Sequence, residues 1–177
     1  MNTQYFPQTR LWRIPAAAIE DSLAEMAIDG LEGREGIVLW LGKDDADTAE
    51  VTHLVRLRGH LIQKRRDLIN IDPALLNDVA DIAIERGVRL LGQVHTHGPG
   101  YYLDLSRTDR ENGIKVPSYL SLVAPDYAQT RTPVHEWGVH VFEREAGYVR
   151  LSRDQALRCL KVIDGLHPPM LTVGGGS

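Results

Sequence analysis

The sequence predicts an α/β domain. Two observations point to that class. Short runs of bulky apolar residues, bounded by glycine, proline or polar residues, read as strands, and between them lie stretches with apolar residues at helical spacing. The length adds a third, since 177 residues are most simply one domain with enough chain for a substantial core.

Taken in order, residues 9 to 15 predict an edge strand with Pro15 at its exit. Ala16 to Met26 carries Ile19, Leu23 and Met26 at helical spacing, and Gly30 and Gly33 bracket the end of a helix packed on the sheet. Ile37 to Leu41 is a glycine-bounded apolar run, as expected of a buried strand. The polar stretch Lys43 to Glu50 suits a hairpin loop into a partner strand, Val51 to Arg58, where His53 reads as a packing or surface residue. Gly59 to Ile71, with Lys64-Arg65-Arg66, reads as a solvated loop. Asp72-Pro73 supplies an N-cap and a proline at the first helical position, and Leu75, Leu76, Val79, Ile82, Ala83 and Ile84 carry that helix to Gly87.

Val88 to Val94 predicts a strand ending at the histidines. Tyr119 to Ala124 predicts another, stopped by Pro125-Asp126. Glu136 to Glu145 and Tyr148 to Leu151 form a hairpin about Ala146-Gly147, with His135 and His140 as surface or packing residues. Ser152 with Gln155 is a capping-box signal for a last helix, through about Asp164, on which Cys159 is a small packing residue among Ala156, Leu157, Leu160 and Ile163. Residues 1–170 are expected to form the domain. Residues 171–177, ending in Gly174-Gly175-Gly176-Ser177, have linker composition and are expected to be a flexible tail outside it.

Composition excludes some classes of function. A hydrophobic fraction of 43% with 25% charged residues is ordinary for a soluble globular protein. A formal net charge of -4 argues against a general nucleic-acid binder, which needs a basic field. Nothing resembles a membrane span, and Met1 to Phe6 lacks the basic and apolar blocks of a signal peptide, so a cytoplasmic protein is expected. The lone Cys159 cannot form an internal disulfide, which agrees with a reducing compartment.

The stretch from Val94 to Asp109 carries the chemistry. Strand side chains alternate faces, so His95 and His97 point the same way and Thr96 the other. Gly98-Pro99-Gly100 breaks the strand. Leu105 to Gly113 then reads as a short helix with Ser106 near its start, and one helical turn places Ser106 and Asp109 on a shared face. Two imidazoles and a carboxylate, with a fourth position left for water, describe a catalytic zinc site; a structural one would call for several cysteines.

This arrangement of His95-Thr96-His97, nearby Pro99, and Ser106 one turn before Asp109 resembles the signature of the JAMM metallopeptidases, or MPN-plus domains. That family adds a catalytic glutamate in an upstream Glu-x-x-Gly-apolar-apolar-x-Gly segment. Glu35-Gly36-Ile37-Val38-Leu39-Trp40-Leu41-Gly42 is similar to it, with Val38 where glycine is usual, and Gly98 adds one residue between the second histidine and the proline. The resemblance covers roughly residues 35 to 143. Within it, Leu120 to Tyr127 is similar to the corresponding run of bacterial members.

The resemblance implies a single JAMM (cytidine deaminase-like) domain of α/β class, a curved mixed β-sheet flanked by helices. It implies one Zn2+ per chain on His95, His97 and Asp109, with Glu35 as general acid-base and Ser106 as oxyanion donor; Glu32 is the fallback for the glutamate. It further implies cleavage after the C-terminal glycine of a ubiquitin-like protein, as deconjugation or precursor processing, in a bacterial ubiquitination-like system with activating and conjugating enzymes, several of which are antiphage. Neither nucleic acid nor membrane is an expected partner. In the family an insertion near Gly59 to Ile71 helps hold the ubiquitin-like substrate, and Gln129 to Val134 resembles a second, mobile insertion over the substrate tail. Two alternatives stay open, a non-catalytic MPN-type scaffold and a JAMM hydrolase acting on a small amide or sulfur-carrier adduct. Outside the family, a metallo-β-lactamase wants an aspartate where Pro99 stands, and an amidohydrolase needs a larger barrel.

Overall fold

A computed structural model describes residues 10–175. In chain order the elements are β1 (Leu11–Pro15), α1 (Ala16–Leu31), β2 (Ile37–Asp44), β3 (Thr48–Arg58), β4 (Ile62–Lys64), β5 (Ile69–Ile71), α2 (Pro73–Glu85), β6 (Arg89–Thr96), α3 (Arg107–Asn112), β7 (Leu120–Ala124), β8 (Gly138–Glu143), β9 (Gly147–Arg150), α4 (Arg153–Cys159), β10 (Leu160–Ile163) and β11 (Met170–Gly174). They form an α/β domain around a curled, mixed sheet of order β10-β1-β3-β2-β6-β7-β8-β9, with β11 also on β3.

Strand β2 is apolar without a break because both of its faces are covered. Val38 and Trp40 pack with Leu23 and Met26 of α1, whereas Ile37, Leu39 and Leu41 pack with Leu75, Val79 and Ala83 of α2. The indole of Trp40 donates to the buried Ser22 hydroxyl of α1 at 3.0 Å, which fixes that helix on the sheet. Asp72 caps α2 by accepting from Ala74 N at 2.8 Å, with Pro73 at the first position.

Four stretches depart from the sequence expectations. Leu11–Pro15 is an interior strand, flanked by β10 and β3 and parallel to both, where an edge was expected. Its second neighbour comes from the predicted last helix, which stops at Cys159. The Ser152–Gln155 capping box forms at the helix start, but Leu160–Ile163 pairs with Trp12–Pro15 instead of continuing the helix. Residues 171–174, expected as tail, are strand. Met170–Gly174 runs parallel to Leu54–Arg58, and Val173 is 3% exposed in the core under α2. Ser177 and Gly176 lie outside the described residues, as does Thr9. The fourth departure is Gly59 to Ile71, where β4 and β5 pair as a separate two-stranded hairpin. Its Lys64 is not simply solvated, since it meets Asp29 of α1 at 2.6 Å.

Candidate metal centre

The site is built where β6 ends. Strand β2 runs antiparallel beside β6 with Ile37 opposite His95, and Gly36 exchanges backbone and side-chain hydrogen bonds with Thr96. Carried one more residue along, this register sets Glu35 across from His97. Thr96 turns its hydroxyl to Gly36 N at 2.9 Å, while His95 and His97 share the opposite face, as their alternation requires.

Helix α3 supplies the third group. Ser106 is its N-cap, with Ser106 Oγ accepting from Asp109 N at 3.1 Å and Asp109 Oδ2 accepting from Ser106 N at 2.7 Å. That reciprocal box holds the carboxylate toward the strand end. His95 Nε2 lies 3.3 Å from His97 Nε2, and Asp109 Oδ2 stands 3.7 Å from the first and 3.5 Å from the second. His95, His97 and Asp109 therefore form a group that can hold a metal ion. Their outer contacts leave the inner nitrogens free. The Nδ1–H of His97 has the Tyr102 carbonyl as acceptor at 2.7 Å, and His95 Nδ1 lies 3.5 Å from the amide nitrogen of Gln93, whose oxygen accepts from Tyr119 OH at 3.1 Å.

Electrostatics fit the same picture. Burial pushes the Glu35 carboxyl up to about 8; His97 opposes the rise, and Asp109 and Asp67 add to it. Burial would also raise Asp109, but hydrogen bonds from both histidines, the charge of His95 and a hydrogen bond from Ser106 outweigh it and hold the group well below the usual carboxylate range. For His97, burial pulls down while Asp109, the Tyr102 carbonyl and Glu35 push up, and the net shift is upward. Glu35 and His97 are 5% and 6% exposed, so these interactions act where water screens little.

The expected residues separate cleanly. His95, His97, Asp109 and Ser106 come together, and Glu35 is buried beside them. Glu32, the fallback glutamate, caps the end of α1 in solvent and pairs with Arg34 at 2.7 Å, away from the cleft. His53 bonds to Thr52, and His135 is a partly exposed neighbour of Glu136. Gln129 to Val134 lies along α1, where Gln129 donates to Ala27 O at 3.3 Å and Arg131 pairs with Glu20.

Three contributors had no sequence signal. Glu35 N donates to Arg65 O of the β4–β5 turn at 2.8 Å, and Tyr127 OH donates to Arg66 O at 2.9 Å, so that turn is clipped over the glutamate. Tyr127 also donates its N–H to His97 O at 2.9 Å from within three successive left-handed residues, Asp126, Tyr127 and Ala128, with φ of 54°, 49° and 61°. Such backbone persists only where its surroundings over-determine it, and here it buttresses the second histidine. Gln93 is the third. A cavity of about 270 Å³ opens beside His95 and Asp109, lined on its apolar side by Ile37, Ile71, Leu76 and Ile114.

Fold and site together define an α/β domain bearing a histidine–histidine–aspartate group able to hold a metal ion. Among solved structures the chain is similar to protein DSY2949 from Desulfitobacterium hafniense, with a TM-score of 0.65 and 18% identity over 88% of this chain and 95% of that one. It is also similar to a protein from Salinibacter ruber, with a TM-score of 0.50 and 22% identity over 79% and 88% of the two chains. At these identities the likeness shows the fold alone. No family model matches the chain, and no curated protein matches it.

Proposed function

We propose that the chain is a zinc-dependent peptidase of JAMM type that cleaves the peptide or isopeptide bond after the C-terminal glycine of a ubiquitin-like protein. The observation that carries this reading is the ligand triangle with a buried glutamate across the sheet from it. Ligands about 2.0–2.1 Å from a tetrahedral zinc stand about 3.3–3.4 Å apart. The three edges here, 3.3, 3.5 and 3.7 Å, are close to that spacing, and a small inward shift of the Asp109 carboxylate would complete it.

When bound, zinc supplies Lewis acidity that activates water and polarises a carbonyl. The chain's own residues do the rest. Glu35 accepts a proton from the attacking water and returns it to the leaving amine, the role suited to a carboxyl titrating near neutrality. Ser106 Oγ accepts from Asp109 N, and its hydroxyl proton, which also supports the Asp109 carboxylate, would turn to donate to the developing oxyanion.

The substrate class rests on the resemblance and on the shape of the cleft. A cavity of about 270 Å³ admits an extended tail of small residues but not a folded domain. An extended C-terminal tail, as on a ubiquitin-like protein, is of a size with that cleft. Deconjugation or processing in a bacterial ubiquitination-like system, beside activating and conjugating enzymes, rests on the same resemblance, as does antiphage defence; a cytoplasmic setting rests on the composition and the residues Met1 to Phe6.

The test is incubation with a ubiquitin-like protein extended beyond its terminal glycine, with and without a zinc chelator. Chelator-sensitive cleavage at that glycine is expected; absence of cleavage of any such fusion by the zinc-loaded chain would sink the reading. Glu35→Gln should retain zinc and lose turnover, whereas His97→Ala and Asp109→Ala should lose the metal itself, as read by elemental analysis.

A further inference from the structure

Beside the ligands, a polar cluster, buried at its His140 end and half-exposed at Asp104 and Arg110, joins the loop after His97 to the β8–β9 hairpin. Asp104 lies on that loop, two residues after Tyr102, whose carbonyl accepts from His97, and two before Ser106, the N-cap of α3. Its Oδ1 meets three donors: Leu105 N at 2.8 Å, Arg110 on α3 at 2.7 Å and Nε2 of His140 on β8 at 2.8 Å. Arg110 reaches on to Tyr148 O of β9 at 2.9 Å. His140 is fully buried and its other nitrogen has no partner among the described residues. A charged ring there would leave an N–H unsatisfied in the core, so the imidazole serves as a neutral donor through Nε2.

We infer that Asp104, His140 and Arg110 form a latch that positions the metal-binding loop, tying the Tyr102 carbonyl and the Asp109 carboxylate to the β8–β9 hairpin. This inference rests on the metal reading above and names residues outside it. The geometry gives it a direction. The loop and α3 are short; Leu105 anchors the loop in the cluster with Tyr119, Val123 and Tyr148, but α3 has no buried side chain of its own, and the polar contacts of Asp104 and Arg110 orient it beyond that single apolar anchor. The latch is a polar route from the loop to the sheet edge, beside a second one after α3 in which Tyr148 OH donates to Ile114 O at 2.5 Å. Asp104 is a positioning residue because it touches no ligand atom and acts through Tyr102 and Asp109.

The test compares three variants of the whole chain by zinc affinity, measured in competition with a chromophoric chelator, and by the visible absorption of the cobalt-substituted protein. Asp104→Leu removes the acceptor and should weaken zinc binding by about 10- to 100-fold, the usual effect of losing an outer contact to a metal ligand, and should shift the cobalt bands. Asp104→Asn keeps an oxygen for all three donors and should stay within about threefold of the parent chain, as the 10- to 100-fold penalty needs a lost contact. Should Asp104→Leu fail to fold, Arg110→Met, at a half-exposed side chain, cuts the α3 tether alone and should still lower affinity and shift the bands. Unchanged zinc affinity and cobalt spectra in the folded variants would overturn the latch, as would an Asp104→Asn chain as weak as Asp104→Leu. Failure of the parent chain to bind zinc would instead overturn the metal reading.

Discussion

Glu35 shows how one side chain couples the site to the stability of the chain. Its carboxyl titrates near 8 in the folded protein against an ordinary value of 4.5, chiefly through burial. Between those values the folded state holds more protons than the unfolded state, so stability falls as pH rises. The contribution is fully present below about pH 4.5 and is lost as pH passes through about 8. In metal-free protein the loss should approach, and not exceed, about 1.4 kcal/mol per pH unit. His97, raised as well, works in the same direction above its ordinary value of 6.5. Asp109 has the opposite sign, and its stabilisation disappears on acidification below the usual carboxylate range. Denaturant melts of metal-free parent and Glu35→Gln chains from pH 5 to pH 8.5 should therefore converge at low pH and diverge at high pH, with the variant the more stable. Parallel curves would mean that Glu35 titrates normally.

Among the elements, the loop after His97 is the most tightly specified. In this loop the glycine with left-handed backbone is Gly100, at φ 77°, and Gly98 does not share it. Gly98 is required for another reason. A Cβ there would stand 2.8 Å from both Cζ and the hydroxyl oxygen of Tyr127. Gly98→Ala should thus cost about 1–3 kcal/mol by overpacking, and less in a Tyr127→Ala background, a difference a double-mutant cycle in urea would read. Equal cost in both backgrounds would mean the ring is not the obstacle. Nothing within 4 Å blocks a Cβ at Gly100, so Gly100→Ala should cost only its backbone strain, on the order of 1 kcal/mol. The helix that was expected to reach Asp164 illustrates the limits of periodicity at this scale. Leu160 and Ile163 sit at helical spacing from Ala156, but the stretch 160–163 ends in the β-branched pair Val162-Ile163, and the open edge of β1 decides between helix and strand.

At the scale of the whole molecule, β3 is the organising strand. One edge carries β2; the other is divided, with Thr48–Glu50 pairing β1 and Leu54–Arg58 pairing β11. Ending the chain after Pro169 would strip half of that edge and the buried Val173. The loss should be at least about 2 kcal/mol, from one valine burial and several ladder hydrogen bonds, seen as a lower urea midpoint. A midpoint unchanged by the truncation would contradict the pairing of β11. No helix among the described residues is long and apolar enough to cross a membrane.

By itself the sequence determined the α/β class, the capped starts of α2, α3 and α4, the face shared by His95 and His97, and the turn joining Ser106 to Asp109. All of these follow from repeats of two or of three to four residues, which the local chain enforces. Tertiary structure alone decided the rest. It set Glu35, rather than Glu32, beside His97 through the β2–β6 register, and it drew residues 160–163 and 170–174 into the sheet. It also brought Gln93 and Tyr127 against the two histidines and joined Asp104 to His140 behind the loop. These depend on contacts between residues far apart in the chain, and the local pattern of a strand or loop carries no record of which distant edge or donor will meet it.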